Sequence, residues 1–164
     1  MKESKFNAEL INSLDYWGAY AYKIVDLPAS MTMGLRYVPE KPCDILGGFK
    51  GTFFGIESKQ IKKFEAFGIR HLRDGQIKHL TDMVKRGNRA FVFLNIRIAP
   101  VKGKTKRENR LVIFDWAEFS KRTESYKQKE VMALPYVSYQ SVKKKPTDDV
   151  AEIIYDIKPW LENL

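Results

Sequence analysis

The chain has 164 residues, enough for one domain with a full core, and its 44% apolar and 13% aromatic content excludes a disordered or low-complexity protein. Its 29 lysines and arginines against 20 acids give a net charge of +9, which favours a polyanionic partner, with nucleic acid ahead of an anionic membrane, over a merely soluble basic protein. Cys43 is the single cysteine, so no internal disulfide can form and no cysteine zinc site is visible, and the polar start MKESKFNAEL with no apolar run of spanning length predicts no membrane span and a cytoplasmic protein, in a host cytoplasm if virus-encoded.

In chain order, Phe6, Leu10, Ile11, Leu14 and Trp17 recur at helical spacing, and Gly18 is a natural stop. The alternation of AYAYKIVD predicts a strand over residues 19–26. Residues 27–41 hold prolines without periodicity and read as a long loop or projecting arm, a length of connection that is often functional. Two short strands follow, over residues 43–49 and 52–59. A basic loop leads to DGQIKHLTDMVKRGN, where Asp74 reads as N-cap, Ile77, Leu80 and Val84 form the apolar stripe, and Gly87 ends the helix. RAFVFLNIRI predicts a central strand, APVKGKTKRENR a basic connection, LVIFDW a returning strand and AEFSKRTES a short helix. From Tyr126 onward the pattern gives no readable arrangement. The order helix, strand, strand, strand, helix, strand, strand predicts an α/β fold, a mixed central β-sheet flanked by helices in a single domain over residues 1–164. GGFKG joins two strands, so a tight hairpin explains its glycines better than a phosphate-binding loop does.

The chemistry concentrates in KPCDILGGFKGTFFGIESKQ, residues 41–60. Side chains alternate along a strand, so Glu57 and Lys59 share one face. A two-residue turn at Lys50 and Gly51 pairs Phe49 with Thr52 and brings Asp44 opposite Glu57, with Cβ atoms roughly 5 Å apart. Two carboxylates so close repel unless a positive charge stands between them. A hard divalent cation meets that need, and magnesium commonly takes one or two carboxylates plus waters and phosphate oxygens. Lys59 can then hold a nucleophilic water or neutralise charge developing on a phosphate. On spacing alone the competing reading stands beside it: Asp-x12-Glu-x-Lys arises often by chance, and Glu57 with Lys59 would make an ordinary exposed ion pair.

Pro42-Cys43-Asp44 followed by Glu57-Ser58-Lys59 resembles the PD-(D/E)XK nuclease signature. FGIRHLRDGQIKHL, residues 67–80, and the first helix followed by YAYKIVDLP extend the likeness, over roughly residues 3–98, to Holliday junction resolvases of the RecU type, with Hjc-like resolvases sharing the same core. The resemblance implies a restriction-endonuclease-like core. It also implies that Asp44, Glu57 and the carbonyl of Ser58 bind magnesium, with manganese able to substitute, that Lys59 is the catalytic lysine, and that Gln76 positions Lys59 or the phosphate. The implied activity is a metal-dependent, structure-selective endodeoxyribonuclease that resolves four-way DNA junctions by paired nicks, working as a homodimer. Another nuclease of this superfamily acting on ends, flaps or duplex, and a non-catalytic basic DNA-binding module, are the alternatives.

Where the family carries a metal-site glutamate in the first helix this chain has Asn7; Glu3, one turn earlier, reaches the same side, and Glu9 points about 200° away. The arm over residues 27–41 is shorter than its RecU counterpart. Lys62, Lys63, Arg70, His71 and Arg73 are the expected DNA contacts, aided by the basic run over residues 102–110; the lysines of residues 143–145 read as a solvated surface run. His79 is expected on a helix flank, and two histidines without a cysteine cluster predict no zinc site.

Overall fold

Lys50 and Gly51 both adopt positive φ, 47° and 85°, as a tight two-residue hairpin of matching twist requires. The turn joins β2 (Ile45–Phe49) to β3 (Thr52–Ile61) in the expected register, from Phe49 opposite Thr52 to Ile45 opposite Ile56. The computed structural model describes residues 3–26, 31, 33–34, 41–63, 65–98, 108–143 and 151–164, so the expected arm falls almost wholly outside the described residues, as does most of the basic run over residues 102–110.

Around this hairpin the sheet grows in both directions. β1 (Tyr20–Lys23) pairs antiparallel with β2 on one side. On the other, β3 runs parallel to β4 (Arg89–Ile98), and β4 pairs antiparallel with β5 (Glu108–Asp115), giving a five-stranded mixed sheet in the order β1-β2-β3-β4-β5. A parallel pair needs a crossover, and α2 (Asp74–Lys85) supplies it. The fold is the mixed α/β arrangement expected, with helices on both faces of the sheet.

β4 shows why both faces are covered. Phe91 and Phe93 join the core beneath α1 (Glu3–Tyr16), with Phe6, Leu10, Leu14, Ile45, Phe54 and Ile56. Val92, Leu94 and Ile96 turn the other way, to the core that holds Leu80 of α2 and Cys43. A strand buried on both faces reads as an unbroken apolar run, which RAFVFLNIRI nearly is. Each fully buried Leu or Phe here contributes roughly 1.5–3 kcal/mol of transfer free energy. Gly55 lets α2 approach closely: a Cβ there would stand 2.6 Å from Met83 Sδ and 3.1 Å from Cys43 Sγ.

The unread C-terminal region forms four small elements after α3 (Trp116–Phe119): α4 (Gln128–Ala133), the antiparallel pair β6 (Tyr139–Lys143) and β7 (Ala151–Tyr155), and α5 (Lys158–Glu162). β7 is fastened to α1. The Tyr155 N–H donates to Ser13 Oγ at 3.0 Å, Trp17 Nε1 to the Tyr155 carbonyl at 2.8 Å, and Asn12 Nδ2 to Glu152 Oε1 at 2.8 Å. α5 sets Trp160 edge-on against Phe54, Phe91 and Phe93, with centroids 5.5, 5.0 and 5.1 Å away.

Several expectations at element ends need correction: the strand expected over residues 43–49 begins at Ile45, and the short helix expected over AEFSKRTES ends at Phe119. The strand expected over residues 19–26 is regular only for Tyr20–Lys23, because its partner β2 ends at Ile45. Asp74 is not the N-cap of α2: Arg73 holds that place, and its N–H donates to Gln76 Oε1 at 2.9 Å. Asp74 instead opens the first turn, where its charge meets the positive end of the helix dipole.

Candidate active site

Asp44 stands just before β2, and its backbone is clamped from both sides. Its N–H donates to the Ile56 carbonyl at 3.1 Å, and its carbonyl accepts from the Ile24 N–H at 2.9 Å. β3 runs on past this point without β2 beside it, which leaves the Ser58 N–H without a strand partner on that edge. The Asp44 carboxylate takes the vacated place: Oδ2 accepts the Ser58 N–H at 3.0 Å and the Ser58 hydroxyl at 2.8 Å. Oδ1 meets Lys41 Nζ at 2.8 Å. Burial by itself would raise the Asp44 carboxyl, but the Lys41 ammonium and the two Ser58 donors outweigh it and hold the group below its ordinary value. The pairing expected between Asp44 and Glu57 is not made: the register ends at Ile45 opposite Ile56, the Asp44 N–H bonds that same Ile56 carbonyl, and the Asp44 side chain bends to Ser58. In an extended strand a residue's N–H and carbonyl point to the same side, so the Ser58 carbonyl shares the edge that Asp44 caps.

Glu57 is 1% exposed, so the reading of Glu57 and Lys59 as an exposed surface pair fails. Its Oε1 accepts from Lys59 Nζ at 2.8 Å and from Gln76 Nε2. Its Oε2 is buried and has no hydrogen-bond partner among the described residues. Burial, and then the charge of Asp44, push the Glu57 carboxyl up to about 7 against the pull of Lys59. Gln76 reaches Glu57 because one amide does two tasks, its oxygen closing the first turn of α2 and its nitrogen spanning to β3. Gln76 was expected to position Lys59 or the phosphate; the side chain it bonds is Glu57, on the same Oε1 that Lys59 holds. The structure brings Asp44, Glu57, Ser58, Lys59 and Gln76 into one cluster.

The donor set fits a hard divalent cation that draws on few protein ligands. Among the described residues no three His, Cys, Asp or Glu side chains stand together as a metal cage, so a cation here would rest on Asp44 and Glu57 and complete its shell with water or phosphate oxygens, the habit of magnesium. The bare Glu57 Oε2 is the oxygen a cation would satisfy. Asn7 is buried and its Oδ1 has no hydrogen-bond partner among the described residues, while the Glu3 side chain lies outside them. Glu9 does not serve this cluster: its carboxylate pairs with both Nη atoms of Arg97. The Cys43 thiol beside the cluster is pushed up to about 12 by burial and then by the Glu57 charge, which leaves it inert as a nucleophile.

Of the expected DNA contacts, Lys62, Lys63, Arg70 and Arg73 are exposed, beyond the end of β3 and at the start of α2, on the flank of the cluster. His71 is half-buried: its ring stacks on Phe67 at 5.0 Å and its Nδ1 accepts the Gly68 N–H at 3.1 Å, so that nitrogen is spent within the chain. His79 lies half-buried on α2. Among the described residues of the basic run, Arg110 lies over the Tyr136 ring at 4.4 Å. The sequence reading missed Lys41. Its signal was present as a cation three residues before Asp44, but nothing in the pattern showed that its ammonium turns inward.

Among the described residues no helix is long and apolar enough to cross a membrane. No family model matches the chain, and no curated protein matches it. Among solved structures it is similar to Archaeoglobus fulgidus Hjc, described as a Holliday junction resolvase from an archaeal hyperthermophile, with 21% identity and a TM-score of 0.41 over 78% of this chain and 98% of that one.

Proposed function

We propose that the chain is a magnesium-dependent endodeoxyribonuclease that resolves four-way DNA junctions by paired, nearly symmetric nicks. One observation carries the reading: Glu57 is a buried carboxylate with one oxygen held by Lys59 and Gln76, the other left bare, and Asp44 close enough to raise its pKa. Buried polar groups are nearly always satisfied, so such an oxygen calls for a ligand. Its agreement with the residues implied by the PD-(D/E)XK resemblance supports a cation there.

Asp44 and Glu57 would hold magnesium or manganese, which supplies Lewis-acid polarisation of the phosphate and a more acidic water. The Lys59 ammonium, one alternation beyond Glu57 on the same face, neutralises charge that builds on the phosphate in the transition state. Gln76 fixes the Glu57 carboxylate against rotation. Lys62, Lys63, Arg70 and Arg73 supply backbone contacts, which give affinity without sequence information. A junction has two-fold symmetry and needs two opposed cuts, a requirement that a C2 homodimer with one site per subunit meets.

A second reading has its own support. Each of the two carboxylates already pairs with a lysine, Asp44 with Lys41 and Glu57 with Lys59, and Asn7 replaces an acid, all of which suit a basic DNA-binding module that has lost catalysis. An immobile four-way junction and a matched linear duplex, each incubated with and without magnesium, separate the readings. Paired nicks in the junction that need magnesium and vanish in Asp44→Asn, while junction binding persists, are the expected result. A monomer that cuts duplex as well as junction would leave a general nuclease, and binding without any cutting would leave the module.

A further inference from the structure

We infer that Lys41 is a built-in counter-ion that a divalent cation must displace from Asp44, and that a DNA phosphate eases the displacement, so that metal and DNA bind cooperatively. The inference rests on the nuclease reading only in seating the cation at Asp44 and Glu57.

Asp44 and Glu57 differ in which oxygens are free. Glu57 keeps Oε2 bare. On Asp44, Oδ2 takes two donors from Ser58 and Oδ1 takes Lys41 Nζ at 2.8 Å. A cation held by both carboxylates would find the Glu57 oxygen open and the Asp44 oxygen already paired with an ammonium, whose like charge opposes it. The Ser58 N–H belongs to the β3 backbone and stays in place, and the Ser58 hydroxyl donates to the same Oδ2. Lys41 can leave. Its side chain is 25% exposed and sits on a flexible four-carbon stem.

A second anchor keeps the ammonium near the site once it lets go. Lys41 Nζ is also 3.2 Å from Asp26 Oδ2, a side chain that is 76% exposed. Asp26 and Lys41 bracket residues 27–40 in the chain, so this three-member bridge ties the two ends of that segment to the metal-site carboxylate. A phosphate arriving at the cluster offers Lys41 another anion in place of Asp44. The cost of freeing Oδ1 is then shared between DNA and metal, and linkage makes the effect reciprocal: the metal must strengthen DNA binding by the factor by which DNA strengthens metal binding. Lys59 is placed differently. It shares Oε1 with Gln76 and leaves Oε2 open, so it does not compete for the cation's seat.

Calcium titrated into the full-length protein by calorimetry tests this without cleavage, with four-way junction DNA present or absent and its own calcium uptake subtracted. In the wild type, saturating junction should tighten calcium binding by a factor of about 5–150, the usual range of such coupling. Lys41→Met should bind calcium about tenfold more tightly than wild type without DNA and lose most of the further gain. The same charge removed at exposed Lys85 should change affinity by less than about twofold. Lys41→Met that binds calcium no more tightly than wild type, or that keeps the full DNA effect, overturns the inference. Should Lys41→Met fail to fold, Asp26→Asn decides. It commits Lys41 wholly to Asp44 and must weaken calcium binding about tenfold, against less than about twofold for the exposed Asp15→Asn; equal effects overturn the inference. Calcium binding that ignores Asp44→Asn and Glu57→Gln defeats the nuclease reading itself. Binding that responds to those changes and not to Lys41→Met defeats this inference alone.

Discussion

The sheet carries a buried acid with a cationic partner on each of its two faces, and the two are finished differently. Under α1, Glu9 meets Arg97 in a two-pronged pair, with Oε1 3.1 Å from Nη1 and Oε2 bonded to Nη2, and the Tyr155 hydroxyl stands 3.3 Å from Oε2. Asn95, Asn109 and Gln60 extend that network across β3, β4 and β5. On the α2 face, Glu57 meets Lys59 and Gln76 through one oxygen and leaves the other empty. A buried charge costs several kcal/mol in lost hydration unless its hydrogen bonds are complete. The Glu9 carboxylate meets that condition from within the chain, with both of its oxygens bonded. Among the described residues the Glu57 carboxylate does not, and under the proposed function a ligand would complete it.

The largest effect expected from breaking this contrast lies on the structural side. Arg97→Met leaves Glu9 buried without its main partner and should cost about 3–5 kcal/mol of stability, read as a lower midpoint in urea at unchanged slope. Cleavage per folded molecule should barely move. A loss of cleavage with intact stability would mean that the α1 face takes part in the chemistry.

Lys59→Ala comes next and acts on the opposite side. Loss of one preorganised electrostatic stabiliser should lower kcat by about 10²–10³ with a modest change in junction affinity. Equal losses in binding and turnover would make Lys59 an ordinary phosphate contact.

A smaller effect sharpens the comparison through pH. The Glu57 carboxyl is raised from 4.5 to about 7 in the fold, so its protonated form is the favoured one. Its contribution is fully present below 4.5 and is lost as pH rises through 7. Asp44, held below its ordinary value, contributes above that value and loses its contribution as pH falls. Without metal, wild type should therefore lose on the order of 3 kcal/mol against Glu57→Gln between pH 4.5 and about 7. Parallel stability curves for the two proteins would show that burial does not perturb Glu57.

Much of the Glu57 side was legible in the sequence because it is local. The Lys50–Gly51 turn fixes the β2–β3 register by itself, and that register brings Asp44 to the edge where Glu57, Ser58 and Lys59 lie. Gln76 was legible through family resemblance, although its link to Glu57 depends on how closely α2 settles over Gly55. Lys41 was not, because its role depends on which way one flexible side chain turns. The Glu9 cluster was hidden for another reason. Tyr155 and Glu9 lie 146 residues apart, and no strand pattern in the C-terminal region announces that β7 will rest on α1. Helical geometry did show Glu9 pointing away from Asn7, which is the side where Arg97 waits.

Single-turnover cleavage of a labelled four-way junction with magnesium, comparing Glu57→Gln with Glu9→Gln at a temperature where both are folded, puts the contrast to its most direct test. The account predicts that Glu57→Gln, at protein concentrations that saturate the junction, produces no paired nicks, while Glu9→Gln, though less stable, cuts at close to the wild-type rate. Cutting by Glu57→Gln at a near wild-type rate would contradict it.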